Sequence, residues 1–320
     1  MQRAIGLDIG GTKIAGGVVD ASGAVLCEIV EPTPEDSDGP AVTAVLLDVV
    51  ERLRAEHDSV AAIGVGAAGI VEWPAGRIVW APNNAYRDWA VREQLEAATG
   101  LPAVIDNDAN VAALAEARLG VQRCRDLVLV TVGTGIGGGL VLGGRIYRGP
   151  TGRGAELGHI ILNPDGPVCG CGNHGCFEAY ASGSALTRMG REAAADDPHG
   201  LIARLGAEQG EVTGQTVTAA AQQGDAVAEA LFGRLGRWLG VGIASLANIF
   251  ELQAVAVGGG LVDTGDLLLE PARIAAREFA YAPHARAGIP IVAATHRNDA
   301  GMIGAALLAL ENAAGGGVSP

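Results

Sequence analysis

Two acids separated by a single residue close the apolar run in PAVIDNDAN (102–110): Asp106 and Asp108. A carboxylate at the end of a strand can take the proton of an attacking hydroxyl. Alternation along a strand sends both acids to one face, so spacing alone does not choose between them. Asp108 also stands just ahead of helix-spaced apolar residues, a common place for an aspartate N-cap. A second cluster is VCGCGNHGCFE (168–178), where Cys169, Cys171 and Cys176 are three of the five cysteines in the chain. That spacing admits a disulfide knot, a metal clip or chance. The third group is three glycine-rich turns, DIGGTK (8–13), GTGIGGG (133–139) and GGG (258–260), each after an apolar strand pattern. Glycine lets backbone N–H groups approach an anion with no Cβ in the way. None is a P-loop, because GxxxxGK[ST] is absent, and GTGIGGG runs into a strand pattern where a dinucleotide fold requires a helix.

Composition narrows the chemistry. The chain has 320 residues, 49% hydrophobic and 18% charged, enough for one large or two ordinary domains with a real core. Its apolar runs are strand-sized, far short of the roughly 20 residues a membrane span needs. The N-terminus enters RAIGLDIGG directly, without the apolar region of a signal peptide, so the expected location is cytoplasmic. Cysteines stay reduced there, which turns the cluster toward metal binding or catalysis. A formal net charge of −14 with no basic stripe argues against nucleic acid as a partner. Lys13 is the only lysine; a compact ammonium beside phosphate is chemically sensible, and a solvated side chain is the alternative.

The elements that must position these groups follow from periodicity and turn residues. An antiparallel three-stranded meander is expected over 3–30, a helix over 41–56, a strand over 60–71, a helix near 90–98, a strand over 102–108 and a helix over 109–118. A second meander begins at 126–149. It is interrupted by the cysteine segment and a long helical stretch from about 182 to 248, and resumes with strands at 253–260 and 289–295 and a final helix at 299–311. The chain therefore starts the same α/β architecture twice, the mark of an internal duplication.

DIGGTK, GTGIGGG, AELGH (155–159) and CGCGNHGCFE (169–178) together resemble the ROK family of sugar kinases and repressors, within it the bacterial glucokinases, over essentially the whole chain. The resemblance implies a duplicated actin-like, ribonuclease-H-like α/β fold with two domains around a cleft. These are 1–115 plus 299–320, and 116–298 carrying the metal segment 156–178. It implies transfer of the γ-phosphoryl of ATP to the 6-hydroxyl of D-glucose, with Asp108 as general base and Asn107 as a hydroxyl partner. Gly69, Asn83, Glu156, His159 and Glu178 match sugar-binding positions. Asn83 is followed by Asn84, and Trp89 lies further along than the family pattern places it.

On the same resemblance, His159, Cys169, Cys171 and Cys176 form a closed Cys₃His set suited to structural Zn²⁺. The ion would act as a scaffold keeping Glu156 and Glu178 in place, leaving Cys27 and Cys124 as ordinary thiols. Asp8 would hold Mg²⁺. Gly10, Gly11, Thr12 and Lys13 on one hairpin, and Gly133, Thr134 and Gly135 on the other, would contact phosphate, with Gly259 and Gly260 on the adenosine side. Family members are commonly dimers or tetramers, so a homodimer or homotetramer is expected, with small-molecule sugar and nucleotide as partners. Other readings are a kinase for N-acetylglucosamine, N-acetylmannosamine, fructose or mannose, polyphosphate as donor, a sugar-sensing repressor, or a non-catalytic sugar-binding protein.

Overall fold

The structure, a computed structural model, describes residues 2–34, 38–57, 59–81, 86–282, 284 and 288–315. Strands β1 (Arg3–Ile9), β2 (Lys13–Asp20) and β3 (Val25–Pro32) form the expected meander, with Asp8 opposite Ala15. Helix α1 (Gly39–Glu56) opens on Asp38, whose side chain accepts the Ala41 N–H at 2.8 Å. It buries Val42, Leu46, Val49, Val50 and Leu53, the stripe that helical spacing prescribes. Strand β4 (Ile63–Ala67) runs parallel to β1. The single strand expected over 60–71 divides at Gly69, which has φ +112° and no room for a Cβ against the Trp80 carbonyl. Beyond that point β5 (Ile70–Glu72), β6 (Arg77–Trp80) and β7 (Arg87–Trp89) form a small sheet of their own. Helix α2 (Val91–Thr99), strand β8 (Ala103–Asn107) and helix α3 (Asp108–Leu119) follow as read from the sequence.

Strands β9 (Leu127–Val132), β10 (Ile136–Leu142) and β11 (Arg145–Ile146) make the second meander. The helical stretch after the cysteines is five helices: α4 (Phe177–Ala181), α5 (Gly183–Asp196), α6 (Leu201–Gln209), α7 (Gly214–Gln222) and α8 (Ala226–Phe250). The breaks fall on helix-ending and helix-starting chemistry, with Gly210 left-handed at φ +90° and Thr213 in a capping box with Thr216. Strand β12 (Ala254–Gly258) is followed by α9 (Asp266–Phe279), which the sequence reading missed because Pro271 sits inside it. Strand β13 (Ile291–Ala293) and helix α10 (Ala300–Ala313) complete the chain's regular elements.

The two main sheets share one strand order, β3-β2-β1-β4-β8 and β11-β10-β9-β12-β13, so the duplication read from the sequence holds at the level of topology. The chain forms two compact units, Met1–Leu129 with Gly139–Ala155 and Ala294–Pro320, and Val130–Gly138 with Glu156–Ala293. Segments 116–129 and 139–155, placed above with the larger domain, pack in the first unit, where Gly139 lies against Ala109 and Ala113 of α3. In that unit Gly16 meets Val49 of α1 while its neighbour Gly17 meets Met302 of α10, so the two helices cover opposite faces of the first sheet. Among the described residues, no helix is long and apolar enough to cross a membrane.

Candidate active site

The first unit brings together Asp8, Asn107 and Asp108. Strand β8 ends at Asn107 because that side chain caps α3, accepting the N–H groups of Ala109 at 2.9 Å and Asn110 at 3.2 Å. The N-cap expected at Asp108 is therefore filled by its neighbour, and Asp108 is the first helical residue. Strand alternation stops there, so the two acids do not share a face as the spacing suggested. Asp106 is 3% exposed and fully engaged. It pairs with Arg148 Nε at 2.5 Å and accepts from the Asn107 N–H at 2.8 Å and Asn110 Nδ2 at 2.9 Å. Arg148 in turn lies over the Trp73 ring at 3.7 Å and donates to the Ile146 carbonyl at 3.2 Å. Among the described residues Asp108 has no cation partner of this kind; its Oδ1 meets the Ala109 N–H at 2.8 Å. The two acids thus differ in their surroundings: Asp106 is paired with a guanidinium, whereas Asp108 meets a backbone amide. Replacing Asp106 by Asn strands the Arg148 guanidinium in the interior, and urea unfolding should register a loss of about 3–5 kcal/mol. A loss under about 1 kcal/mol, typical of exposed pairs, would show that this pair is not buried in solution.

Burial pushes the Asp8 carboxyl up to about 7; the negative charge of Asp108 adds to this and Lys13 opposes it. Burial also raises Asp108 above the usual carboxylate range. Gly301, near the start of α10, leaves room for the Asp8 carboxylate, since a Cβ there would stand 2.7 Å from it. In the adjacent turn, the Gly10 N–H is spent on the Lys13 carbonyl at 2.9 Å and the Gly10 carbonyl accepts Thr33 Oγ1 at 2.9 Å. The amides of Gly11 and Thr12 donate to no acceptor among the described residues, and both residues are exposed, as is Lys13. Asn107 Nδ2 reaches the Gly69 carbonyl at 3.2 Å, so those two sequence candidates are in contact. Asn83 lies outside the described residues.

The second unit gathers the metal candidates. The ligand atoms of His159, Cys169, Cys171 and Cys176 all lie within 4.8 Å of one another, so these four residues could hold a metal ion. Cys171 and Cys176 sulfurs are 3.7 Å apart, and Cys169 Sγ is 3.8 Å from His159 Nδ1. A tetrahedral ion with sulfur ligands at 2.3 Å requires edges of about 3.8 Å, so the donor set and its spacing fit. The loop is shaped by short bridges pairing Ile161 with Cys176 and Val168 with His174, and by Gly175, which at φ +66° has no room for a Cβ beside the Asn163 carbonyl. Burial pushes the Cys169 thiol up to about 12, whereas the backbone at Asn173 holds Cys171 below the usual thiol range.

Glu156 precedes a single 3₁₀ turn, Leu157–His159, and its side chain is exposed. Glu178 is in the first turn of α4. Its Oε2 accepts the Ile136 N–H at 2.9 Å, and its Oε1 is 3.4 Å from Cys169 Sγ. In the second glycine hairpin the Gly133 N–H is spent on the Gly135 carbonyl at 3.0 Å, while the Thr134 and Gly135 amides donate to no acceptor among the described residues. Gly259, at φ +84°, comes so near the β9 backbone at Val132 that only glycine fits; Gly260 faces open space. Sequence reasoning passed over Arg148, Gly158, Gly183, Ser184 and Gly301, all of which shape these groups. The SGS at 182–184 was a readable N-cap signal, and Ser182 Oγ does accept the Ala185 N–H at 3.2 Å.

Known proteins resemble this chain over nearly its whole length. The ROK family model matches residues 4–312. A glucokinase of Streptomyces coelicolor is 42% identical over 315 residues, spanning 97% of this chain and 98% of the relative. An N-acetylmannosamine kinase of Escherichia coli is 35% identical over 312 residues, spanning 95% and 97%. The crystal structure of a ROK family glucokinase from Streptomyces griseus, in complex with glucose and AMPPNP, superimposes with a TM-score of 0.80 at 40% identity, over 97% of this chain and 99% of that one. Motifs, duplicated topology and near full-length similarity converge: the chain belongs to the ROK family.

Proposed function

We propose that this chain is an ATP-dependent glucokinase, moving the γ-phosphoryl of ATP to the 6-hydroxyl of D-glucose. The observation that carries the reading is the contrast at the start of α3: Asp106 is paired with Arg148, while Asp108 keeps a raised carboxyl without a cation partner among the described residues. A base of this kind accepts the proton of the sugar's primary alcohol as that oxygen attacks phosphorus. Similarity to glucokinases over 97% of the chain supports the substrate pair.

In this reading Asn107, Gly69 and Asn83 present polar groups to sugar hydroxyls, with Glu156, Glu178 and the Nε2 of His159. Gly11, Thr12, Thr134 and Gly135 offer unspent amides to phosphate, Gly10 and Gly133 shape those turns, Lys13 adds a cation, and Gly259 and Gly260 border the adenosine. Asp8, whose carboxyl is raised by burial and, secondarily, by the neighbouring acid, is suited to Mg²⁺, which when bound neutralises phosphate charge. His159, Cys169, Cys171 and Cys176 would hold Zn²⁺ as a closed structural site, with no position left for substrate. A cytoplasmic homodimer or homotetramer is the proposed setting.

The test is turnover of a hexose panel with ATP, read by coupled ADP production. Glucose should give the highest kcat/KM among glucose, mannose, fructose, N-acetylglucosamine and N-acetylmannosamine. A preference for N-acetylmannosamine would move the assignment to the second kinase class represented among the relatives. ATP-independent turnover with polyphosphate would change the donor.

A further inference from the structure

Glu178 is anchored by a backbone group of another segment. Its Oε2 accepts the Ile136 N–H at 2.9 Å, and Gly135 sits so close to that oxygen that a Cβ would collide with it. Gly158, in the turn between Glu156 and His159, lies against the Ile136 carbonyl and is equally intolerant of a Cβ. Both polar ends of residue 136 are therefore met by the metal segment. At its other end the hairpin is held by α5, where the Gly183 and Ser184 amides donate to the Gly133 and Thr134 carbonyls at 2.7 and 3.1 Å. Thr134 and Gly135 hang between these two supports, and the Glu178–Ile136 hydrogen bond makes the connection on the metal side.

We infer that Glu178 is a positioning residue for the 133–136 hairpin, its carboxylate holding the Ile136 amide so that the Thr134 and Gly135 amides are presented to the nucleotide. The inference rests on reading that hairpin as a nucleotide contact. It extends the task of the metal segment from the sugar to the phosphate donor. A hydrogen bond to a charged acceptor that fixes a glycine-rich turn removes conformational freedom before ligand arrives, which is a gain in affinity without a new ligand contact.

The experiment is calorimetric titration of Mg²⁺–ADP in the absence of sugar, with a parallel glucose titration, on wild type, Glu178→Ala and Glu178→Gln. Glu178→Ala should bind ADP about tenfold more weakly, the order of one lost charge-assisted hydrogen bond. Glu178→Gln keeps an amide oxygen for the Ile136 N–H and should bind ADP within about threefold of wild type while its glucose affinity falls. This split between the two ligands is what a general loss of structure would not produce. Wild-type ADP affinity in Glu178→Ala, or equal weakening in Ala and Gln, overturns the inference. Should Glu178→Ala not fold, Gly158→Ala, which displaces the Ile136 carbonyl from the same side, decides by the same criterion. A wild type that binds no ADP would instead sink the nucleotide reading, and this inference with it.

Discussion

Asp108→Asn is expected to lower kcat for glucose phosphorylation by about 10²–10⁴-fold, the usual worth of a general base, with a much smaller change in glucose affinity. The same substitution should stabilise the ligand-free protein at pH 8. Asp108 and Asp8 both have folded-state pKa values above the ordinary 3.8, Asp8 at about 7, so the folded chain holds protons that the unfolded chain has already released. Their favourable contribution is complete below pH about 4 and is lost as pH rises through the folded values. Asn has no proton to lose, and it also removes the negative charge that helps raise Asp8. The gain in Tm of Asp108→Asn over wild type should therefore be clear at pH 8 and vanish toward pH 4. A variant with near wild-type turnover removes Asp108 as the base; one that is inactive and less stable at pH 8 reassigns it to structure. Asp106→Asn should behave in the opposite way at that pH, losing stability because a buried guanidinium is left unpaired.

Loss of the metal should be a large stability effect, comparable to breaking the Asp106–Arg148 pair. A ligand that binds only the folded state stabilises by about 4 kcal/mol when present at a thousand times its Kd. Cys171→Ser removes one corner of the four-residue set, so its Tm should fall well below wild type, its zinc content should drop, and its KM for glucose should rise. The rise is expected because Glu178 Oε1 lies 3.4 Å from Cys169 Sγ and Glu156 leads directly into the His159 turn. Elemental analysis of the purified wild type settles the first step. Protein free of zinc, with a Tm indifferent to Cys171→Ser, would leave the four residues as a reduced thiol cluster with no scaffolding role.

Much of the architecture was readable because it is local. The two meanders and the helix after the acid-bearing strand β8 follow from patterns within ten or twenty residues, and the matching strand orders agree with the meanders. The failures have local causes as well. Strands β6 and β7 are four and three residues long, too short for alternation to register. Helix α9 carries Pro271, which is tolerated there while α8 supplies Gly236 and Gly240 for it to pack against. The helical stretch after the cysteines was read as one body although its glycines and Thr213 mark the breaks.

By itself the sequence determined the chemical inventory: a thiol-rich clip beside two glutamates, glycine hairpins after strands, and a pair of acids at the end of β8. Spacing could not rank those acids and only the resemblance named Asp108; the physical difference between them comes from Arg148, which meets Asp106 from 42 residues along the chain. Nor could it tie Glu178 to the glycine hairpin, since Ile136 is likewise 42 residues away. Periodicity reports which face a side chain takes; only the folded chain decides which distant charge or amide arrives to use it, and among the described residues that arrival pairs Asp106 and leaves Asp108 without a cation partner.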